Sequence, residues 1–298
     1  MLDTTPERPE RASTAQNAPR RLGIIAGGGA IPLAVARHAR DNGAEVFIIA
    51  LEGLAESGIA EYPHAHSGIG QVGRILRLLR NAASEDVVLV GHLRRPKLLT
   101  LRPDYGTFRH LPGLIKLLHG GDDHVLTRVG RFFEAQGFHV VGAHDVAPQL
   151  LAPAGSFSAR APSERDLDDI STGAQVIAAL SPFDVGQAVV VRRGYVLAVE
   201  AAEGTDRMLE RCRDLNPWGL RGRSGVLVKA PKQGQDLRLD MPAVGPRTAD
   251  LAAAAGLAGI AVAQGKVLLA EQARLIEKAD AGGLFLYGFS RTGGEKPV

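Results

Sequence analysis

Short runs of apolar residues alternate, in the first half of the chain, with longer segments whose apolar positions repeat at helical spacing. Residues 22–26 form the first run, the glycine triplet Gly27–Gly29 follows it, and residues 31–40 have the pattern of an amphipathic helix. Residues 45–50 are a second apolar run, so the start of the chain predicts a strand–helix–strand unit.

The same alternation continues as far as residue 142. It predicts helices at 72–83, 111–119 and 123–136, strands at 86–90 and 138–142, and a short strand or loop at 64–68. Short buried strands that alternate with helices are typical of a parallel sheet covered on both faces. We therefore predict an α/β fold that begins with a Rossmann-like, parallel-sheet N-terminal domain over residues 22–151.

The pattern changes beyond a predicted linker at 152–163, which is rich in Pro, Ala, Gly and Ser. Pairs of apolar runs that flank short turns predict hairpins at 187–199 and 259–271. The remaining segments predict helices at 164–180, 205–215, 248–255 and 273–281 and strands at 225–229 and 284–289. We predict a C-terminal mixed α/β domain over 164–298 and a ligand chamber between the domains, where binding clefts are common.

Composition fits this two-domain prediction, because 298 residues exceed the usual size of one domain. The single cysteine, Cys212, excludes a disulfide framework and a multi-cysteine metal site, and it fits a reducing compartment. A net charge of +3 is too small to indicate nucleic acid as a partner. Residues 1–21 lack the apolar core of a signal peptide, and no apolar run is long enough to cross a membrane. We predict a disordered extension over 1–21 and a soluble cytoplasmic protein.

The glycine triplet suits a phosphate or nucleotide, because glycines admit a phosphate close to the backbone and the following helix supplies N–H groups. The dinucleotide fingerprint needs a glycine where this chain has Pro32, and the P-loop lysine is absent. Gly91 and His92 follow the strand at 86–90 and could face the same ligand. The alternatives are a tight turn that binds nothing and an ordinary loop histidine.

Two neighbouring segments allow both a binding and a plain structural interpretation. Residues 92–119 carry six basic residues among leucines, which suits an anionic membrane surface, although the sequence favours an ordinary helix with a charged face. Asp122 and Asp123 follow two glycines and could hold a divalent cation, although a helix cap is the favoured interpretation.

Acidic residues gather at a predicted strand–helix junction near residue 200. Glu200, Glu203 and Asp206 surround Gly204 and Thr205, and Thr205 is the predicted N-cap of the helix. Three acids are more than a cap needs. Hard oxygen ligands of this kind suit Mg²⁺.

The densest polar stretch of the chain runs from residue 229 to 248 and has little apolar bulk. Lys229, Lys232 and Arg238 could neutralise phosphate oxygens, and Asp240 could bind a metal or activate water. The alternative is a polar loop between two elements.

Several of these segments, in this order and spacing, resemble the LpxI-type UDP-2,3-diacylglucosamine pyrophosphatases. The resemblance extends from Leu22 to Phe289. The segments that carry it are Gly27-Gly28-Gly29, Gly70-Gln71-Val72-Gly73, Gly120-Gly121-Asp122, Asp169-Ile170-Ser171-Thr172-Gly173, Ala198-Val199-Glu200 with Glu203-Gly204-Thr205-Asp206, and Arg238-Leu239-Asp240-Met241-Pro242 with Gly245 and Thr248.

The resemblance implies a magnesium-dependent hydrolysis of UDP-2,3-diacylglucosamine to UMP and 2,3-diacylglucosamine 1-phosphate (lipid X), with water attacking the phosphorus on the sugar side. It implies a step of lipid A synthesis in Gram-negative bacteria, at the cytoplasmic face of the inner membrane, and two domains that enclose the lipid product. Asp240 takes the position of a catalytic aspartate. A homo-oligomer is compatible with the resemblance. The residues that it places at the substrate, with those inferred above, are Gly27, Gly28, Gly29, Gln71, Gly91, His92, Asp122, Thr172, Gly173, Glu203, Gly204, Thr205, Lys229, Lys232 and Arg238.

A single magnesium ion fits the sequence better than a dinuclear centre, because no His/Asp cluster of the two-metal type is present. Asp240 is the first candidate ligand, followed by Glu200, Asp206 and Asp123. The sequence leaves open whether Asp240 binds the metal or acts as the base.

Two rival functions share part of this pattern. The strand–helix–strand unit also suits an NAD(P)-dependent oxidoreductase, with Glu52 near the place of a ribose-binding acid, although Pro32 argues against it. A non-catalytic nucleotide or lipid carrier would share the binding features and would not need the segment around Asp240.

Overall fold

The computed structural model describes residues 20–54, 57–92, 104, 107, 122–215 and 223–290. The predicted helix at 111–119, most of the basic segment 92–119 and residues 1–19 of the predicted extension lie outside these residues. Within them, no helix is both long and apolar enough to cross a membrane.

The first half of the chain forms a sheet of five parallel strands in the order β3-β2-β1-β4-β5, which is the Rossmann order. The predicted parallel sheet is therefore confirmed. The strands are β1 (Arg21–Ala26), β2 (Glu45–Leu51), β3 (His64–Ser67), β4 (Asp86–Val90) and β5 (His139–Val140), and the helices are α1 (Ile31–Asp41), α2 (Val72–Asn81), α3 (Asp122–Ala135) and the single turn α4 (Ala143–Val146).

Alternate residues of the central strands enter two separate apolar cores, one on each face of this sheet. Ile24 and Ile48 pack with α1 on one face. Ile25 and Ile49 pack on the other face, with α2 and with Phe133 of α3. Burial on both faces is why these strands read as unbroken apolar runs.

The second half forms a mixed sheet of six strands in the order β6-β13-β11-β9-β7-β8. The predicted hairpin is confirmed, because β7 and β8 pair antiparallel, while β9, β11 and β13 pair parallel. The strands are β6 (Gly155–Ser156), β7 (Ala188–Arg192), β8 (Tyr195–Val199), β9 (Val226–Lys229), β11 (Gly259–Ala263) and β13 (Phe285–Phe289), and the helices are α5 (Glu164–Leu180), α6 (Gly204–Asp214), α7 (Pro246–Ala254) and α8 (Gln272–Ala281).

The second predicted hairpin, at 259–271, is wrong. β12 (Leu268–Leu269) pairs with β10 (Ala243–Val244) in a separate two-stranded sheet and not with β11. The turn between the two strands is held by other parts of the chain, since Gly265 N donates to Ala152 O and Gln264 N donates to Phe289 O. These bonds direct the two runs into different sheets.

The small sheet of β10 and β12 joins the two halves of the molecule. Leu268, Met241 and Ala243 belong to the second half by sequence, yet they pack against the core of the first half. Leu239 packs against the core on the opposite face of the first sheet. The chain around Asp240 therefore lies where the two halves meet.

Candidate active site

Asp240 is half-buried and held by two glutamine amides. Gln187 Nε2 donates to Asp240 Oδ2 at 2.8 Å. Gln235 Nε2 donates to the same oxygen and to Asp240 O. Because both amides contact one carboxylate oxygen, they fix the orientation of the group.

A chain of hydrogen bonds connects this carboxylate to the strand–helix junction near residue 200. The backbone N–H of Gln187 donates to Glu200 Oε2 at 2.9 Å, and the Thr205 hydroxyl donates to Glu200 Oε1 at 2.7 Å. Lys229 Nζ donates to the Thr205 hydroxyl at 2.7 Å. The structure thus brings together four residues that the sequence singled out: Lys229, Thr205, Glu200 and Asp240.

Two buried lysines lie in the same network. Lys229, which ends β9, is 8% exposed and Lys232 is 7% exposed. Lys232 forms an ion pair with Asp184, and its backbone N–H donates to Gln235 Oε1 at 2.8 Å. Buried ammonium groups need partners inside the protein, and here Asp184 serves Lys232 while the Thr205 hydroxyl serves Lys229.

The other acids near residue 200 are engaged elsewhere. Asp206 pairs with Arg247 at 2.7 Å. Glu203 pairs with Arg211 at 2.9 Å, and the pKa of Glu203 is lowered by a hydrogen bond to its own backbone N–H and then by Arg211. The predicted N-cap at Thr205 is wrong, because α6 begins one residue earlier and the hydroxyl serves Glu200 instead.

The predicted metal ligands do not form a cage among the described residues. No three His, Cys, Asp or Glu side chains come together in that part of the chain. The side chains of Asp122 and Asp123, at the start of α3, lie outside the description. Mg²⁺ commonly binds proteins through one or two carboxylates plus substrate phosphates, and Asp240 suits that mode.

Arg238 lies at the boundary between the halves and pairs with two carboxylates. It contacts Asp236 at 2.8 Å and Glu134 of α3 at 2.9 Å. The hydrogen bond from Arg238 is the main reason why the pKa of Asp236 is lowered, and the pKa of Arg238 is raised in return. Both partners compete with any phosphate for this guanidinium.

The glycine-rich turn after β1 packs closely against the end of β4. Gly27 N donates to Val90 O, and Gly28 and His92 exchange two backbone hydrogen bonds of 2.9 and 2.7 Å. A Cβ on Gly27 would lie 2.8 Å from His92 O, and one on Gly91 would lie 2.9 Å from Gly27 C. The triplet therefore has a structural use, and the N–H groups of Gly27 and Gly28 donate within the protein.

Beyond that contact, Gly29 has a φ of +92° and a Cβ there would meet no atom within 4 Å. Gln71 precedes α2, and its Oε1 accepts from Gly68 N at 3.1 Å. Glu52, the acid of the oxidoreductase alternative, follows β2 at the same edge of the sheet. This edge holds the carboxyl ends of parallel strands, where ligands of such sheets bind.

The predicted contacts at Thr172 and Gly173 lie in the middle of α5. The Thr172 hydroxyl donates to Asp168 O within the helix. A Cβ on Gly173 would lie 2.6 Å from Val228 Cγ2, so the glycine lets α5 pack tightly on the sheet. Asp169, in the same motif, accepts from the N–H groups of Arg193 and Gly194 in the β7–β8 turn.

Sequence reasoning missed Gln187, Gln235 and Asp184. A glutamine at the start of an apolar strand carries no charge and matches no motif, so Gln187 gives no signal. Asp184 and Gln235 lie in loops, where polar residues are ordinary.

Known proteins match this chain over residues 21–150 and 153–287. The pattern of the LpxI N-terminal domain matches residues 21–150, and that of the LpxI C-terminal domain matches residues 153–287. The chain is 41% identical, over 273 residues, to the Caulobacter vibrioides protein named UDP-2,3-diacylglucosamine pyrophosphatase LpxI, which covers 90% of this chain and 97% of that protein. A structure of the Bordetella bronchiseptica enzyme WbmH in complex with NAD⁺ aligns with 38% of this chain and 36% of its own, with 13% identity and a TM-score of 0.25, and supports no conclusion. With both domains matched and so similar a relative, the chain belongs to the LpxI family.

Proposed function

We propose that this protein hydrolyses the pyrophosphate bond of UDP-2,3-diacylglucosamine, giving UMP and 2,3-diacylglucosamine 1-phosphate, with Asp240 as the essential carboxylate. The observation that carries the proposal is the hydrogen-bonded network that joins Asp240 to Glu200, Thr205 and Lys229. The activity in the name of the Caulobacter vibrioides relative supports it. Neither an oxidoreductase nor a carrier is favoured by the family match.

The network divides the work between two carboxylates. Both oxygens of Glu200 accept hydrogen bonds within the protein, so Glu200 holds the network in place. Two amides donate to Asp240 Oδ2 and orient its carboxylate, and Asp240 takes the position of the catalytic aspartate in the family resemblance. We assign the reactive position to Asp240 on that ground.

The reaction needs negative charge to be neutralised on the pyrophosphate. Water attacks the phosphorus on the sugar side, the bond from that phosphorus to the bridging oxygen breaks, and that oxygen leaves on UMP while a proton passes to solvent. Lys229 and Lys232 are linked to Asp240 through the hydrogen-bonded network, and in this proposal they neutralise the phosphate oxygens. We include Mg²⁺ in the proposal. Asp240 would be its protein ligand, and the ion would neutralise charge that develops on the phosphate oxygens.

The acyl chains of the substrate place the reaction at a lipid surface. We include peripheral association with the cytoplasmic face of the inner membrane and an apolar chamber between the domains.

The test is release of UMP from purified protein with UDP-2,3-diacylglucosamine, with Mg²⁺ and with EDTA. Asp240→Ala should lower turnover on the order of 10³-fold while substrate still binds. The matched control is Asp214→Ala, which removes an exposed carboxylate at the end of α6 and should leave turnover unchanged.

Near-normal turnover by Asp240→Ala at saturating Mg²⁺ would refute the assignment of that residue. Undiminished UMP release in EDTA would refute the magnesium requirement alone. Binding of the substrate by the native protein without any UMP release would favour the carrier.

A further inference from the structure

The residues on both sides of Asp240 are anchored in the first domain, although Asp240 itself is bound from the second. Leu239 is 8% exposed and packs in the core that contains Phe133 of α3. Met241 packs in the core on the opposite face of the same sheet. The amides that hold Asp240 come from Gln187 and Gln235 of the second domain. The carboxylate is therefore positioned from both sides of the domain boundary.

Gly130 forms the floor of the hollow that receives Leu239. A Cβ at Gly130 would lie 2.7 Å from Leu239 Cδ1, 3.2 Å from Cδ2 and 3.4 Å from Cγ. Gly130 lies inside helix α3, where glycine is less favourable than alanine by about 1 kcal/mol. Close approach of Leu239 is a physical reason for glycine at this helical position.

Arg238 makes a second connection to the same helix. Its guanidinium pairs with Glu134 of α3 at 2.9 Å, four residues after Gly130 and hence on the same side of the helix. It also contacts Val140 O of β5 at 3.5 Å. Two consecutive residues before Asp240 thus contact the first domain, one by apolar packing and one by charge.

We propose that α3 positions Asp240, with Leu239 seated over Gly130 and Arg238 paired with Glu134, so that turnover depends on this contact between the domains. The inference rests on the proposed function for its effect on turnover. Leu239, Gly130, Arg238 and Glu134 are positioning residues, since they act through Asp240 and not on the substrate.

The decisive variant is Gly130→Ala, whose methyl group must displace Leu239 Cδ1 by roughly 1 Å to reach an ordinary carbon–carbon contact. The proposal requires part of this displacement to reach Asp240, the next residue, and misplacement of a reacting group by about 1 Å costs up to about 10²-fold in rate. We expect kcat to fall at least tenfold with KM within twofold of the native value.

The matched control is Gly58→Ala. Its Cβ would lie 2.8 Å from Leu33 Cδ1, a similar clash with a leucine, on the face of the first sheet opposite to Leu239. The control should keep its kcat at a similar melting temperature. The double variant Gly130→Ala/Leu239→Ala relieves the clash and should be less impaired than the product of the two single losses.

Hydrogen exchange tests the same contact without relying on activity. The N–H groups of Leu239 and Asp240 both donate to Asp236 O, so displacement of Leu239 should accelerate their exchange in Gly130→Ala and not in Gly58→Ala. Equal exchange in the two variants would overturn the inference, whatever the native protein hydrolyses. If exchange is faster in Gly130→Ala but the native protein does not hydrolyse the substrate, the inference about position stands and the proposed function is refuted. Strictly multiplicative losses in the double variant, or a kcat for Gly130→Ala that matches Gly58→Ala, would overturn it as well.

Discussion

Gln187 shows how much an uncharged side chain can do in a charged site. Its amide donates to Asp240 Oδ2 and its backbone N–H donates to Glu200 Oε2, so one residue connects both carboxylates of the network. The sequence marked the two carboxylates because acids near glycines and lysines suit phosphate chemistry. It gave no reason to select the glutamine between them, because the position of its amide next to Asp240 depends on how the strands pair.

Gln187→Leu should lower kcat by about 10- to 100-fold with little change in KM, because a hydrogen bond to a charged group is worth about 1.5–3 kcal/mol. Steady-state release of UMP measures the effect, and melting temperature reports folding. Gln175→Leu is the control, since Gln175 is exposed on α5 and its amide donates to the Ser171 hydroxyl. Equal kcat values for the two variants would contradict the proposed orientation of Asp240.

The Asp236–Arg238 pair predicts a pH-dependent contribution to stability. The pKa of Asp236 lies below its ordinary value of 3.8, chiefly because Arg238 donates to the carboxylate. The unfolded chain therefore binds this proton more readily than the folded protein. The stabilisation is present above the unfolded pKa and is lost as the pH falls through the lowered folded pKa.

The measurement is the difference in unfolding free energy between the native protein and Asp236→Asn. It should be constant above about pH 5 and shrink as the pH falls below about 4. Asp214→Asn, which changes an exposed carboxylate, should show no such trend. A pH-independent difference for Asp236→Asn would contradict the prediction.

At the scale of elements, the motif at 169–173 in α5 contains residues that were predicted to contact substrate and whose contacts in the structure are explained by packing. Gly173 lets the helix approach Val228, and Asp169 holds the β7–β8 turn. The motif therefore holds α5 against strands β7 and β9, which carry residues of the candidate site. A contact with substrate at Thr172 and Gly173 stays a prediction.

Gly173→Ala should destabilise the protein by roughly 1–3 kcal/mol, because its methyl group would overpack the helix–sheet interface and offset the gain in helix propensity. Urea unfolding measures the loss. Adding Val228→Ala removes Val228 Cγ2, the nearest atom to the new Cβ, and leaves Val228 Cβ at 2.8 Å. The clash is partly relieved, so the double variant should be more stable than the sum of the two single losses predicts. Strict additivity would contradict the packing explanation.

Hydrophobic periodicity predicted most elements, since strands buried on both faces and amphipathic helices carry clear patterns. It failed at two places for a common reason. β12, at 268–269, pairs with β10 and not with β11. β6 lies within the predicted linker and pairs with β13. Both short strands find partners far away in the chain, and no local pattern specifies a distant partner.

At the scale of the molecule, shared packing predicts one cooperative unit. Residues of the second half enter both cores of the first half, through Leu239 on one face and Met241 on the other. Neither half can unfold without exposing apolar surface of the other.

Differential scanning calorimetry should therefore show a single transition whose calorimetric and van't Hoff enthalpies agree. Leu239→Asp, which puts a charge into the contact between the halves, should lower the transition temperature and separate the transition into two. Two resolved transitions in the native protein would contradict this prediction.

The sequence identified the segments of the candidate site, but it predicted only in part which of them come together in the folded chain. The polar stretch at 229–248 and the acids near residue 200 do come together around Asp240 and Glu200. The glycine triplet packs against Gly91 and His92, a contact that the motif alone did not reveal. Arg238 pairs with Asp236 and, across the domain boundary, with Glu134. These outcomes depend on which side chains face each other, which only the folded chain determines.

The contact between Gly27 and Gly91 has a consequence for genetics. A Cβ added at either position would lie within 3 Å of backbone atoms of the opposite turn. Those backbone atoms are present whatever residue is placed there. A defect caused by a side chain at either position therefore has no second-site suppressor at the other. In a randomised library that varies both codons together, selection for folded protein should return the glycine pair alone.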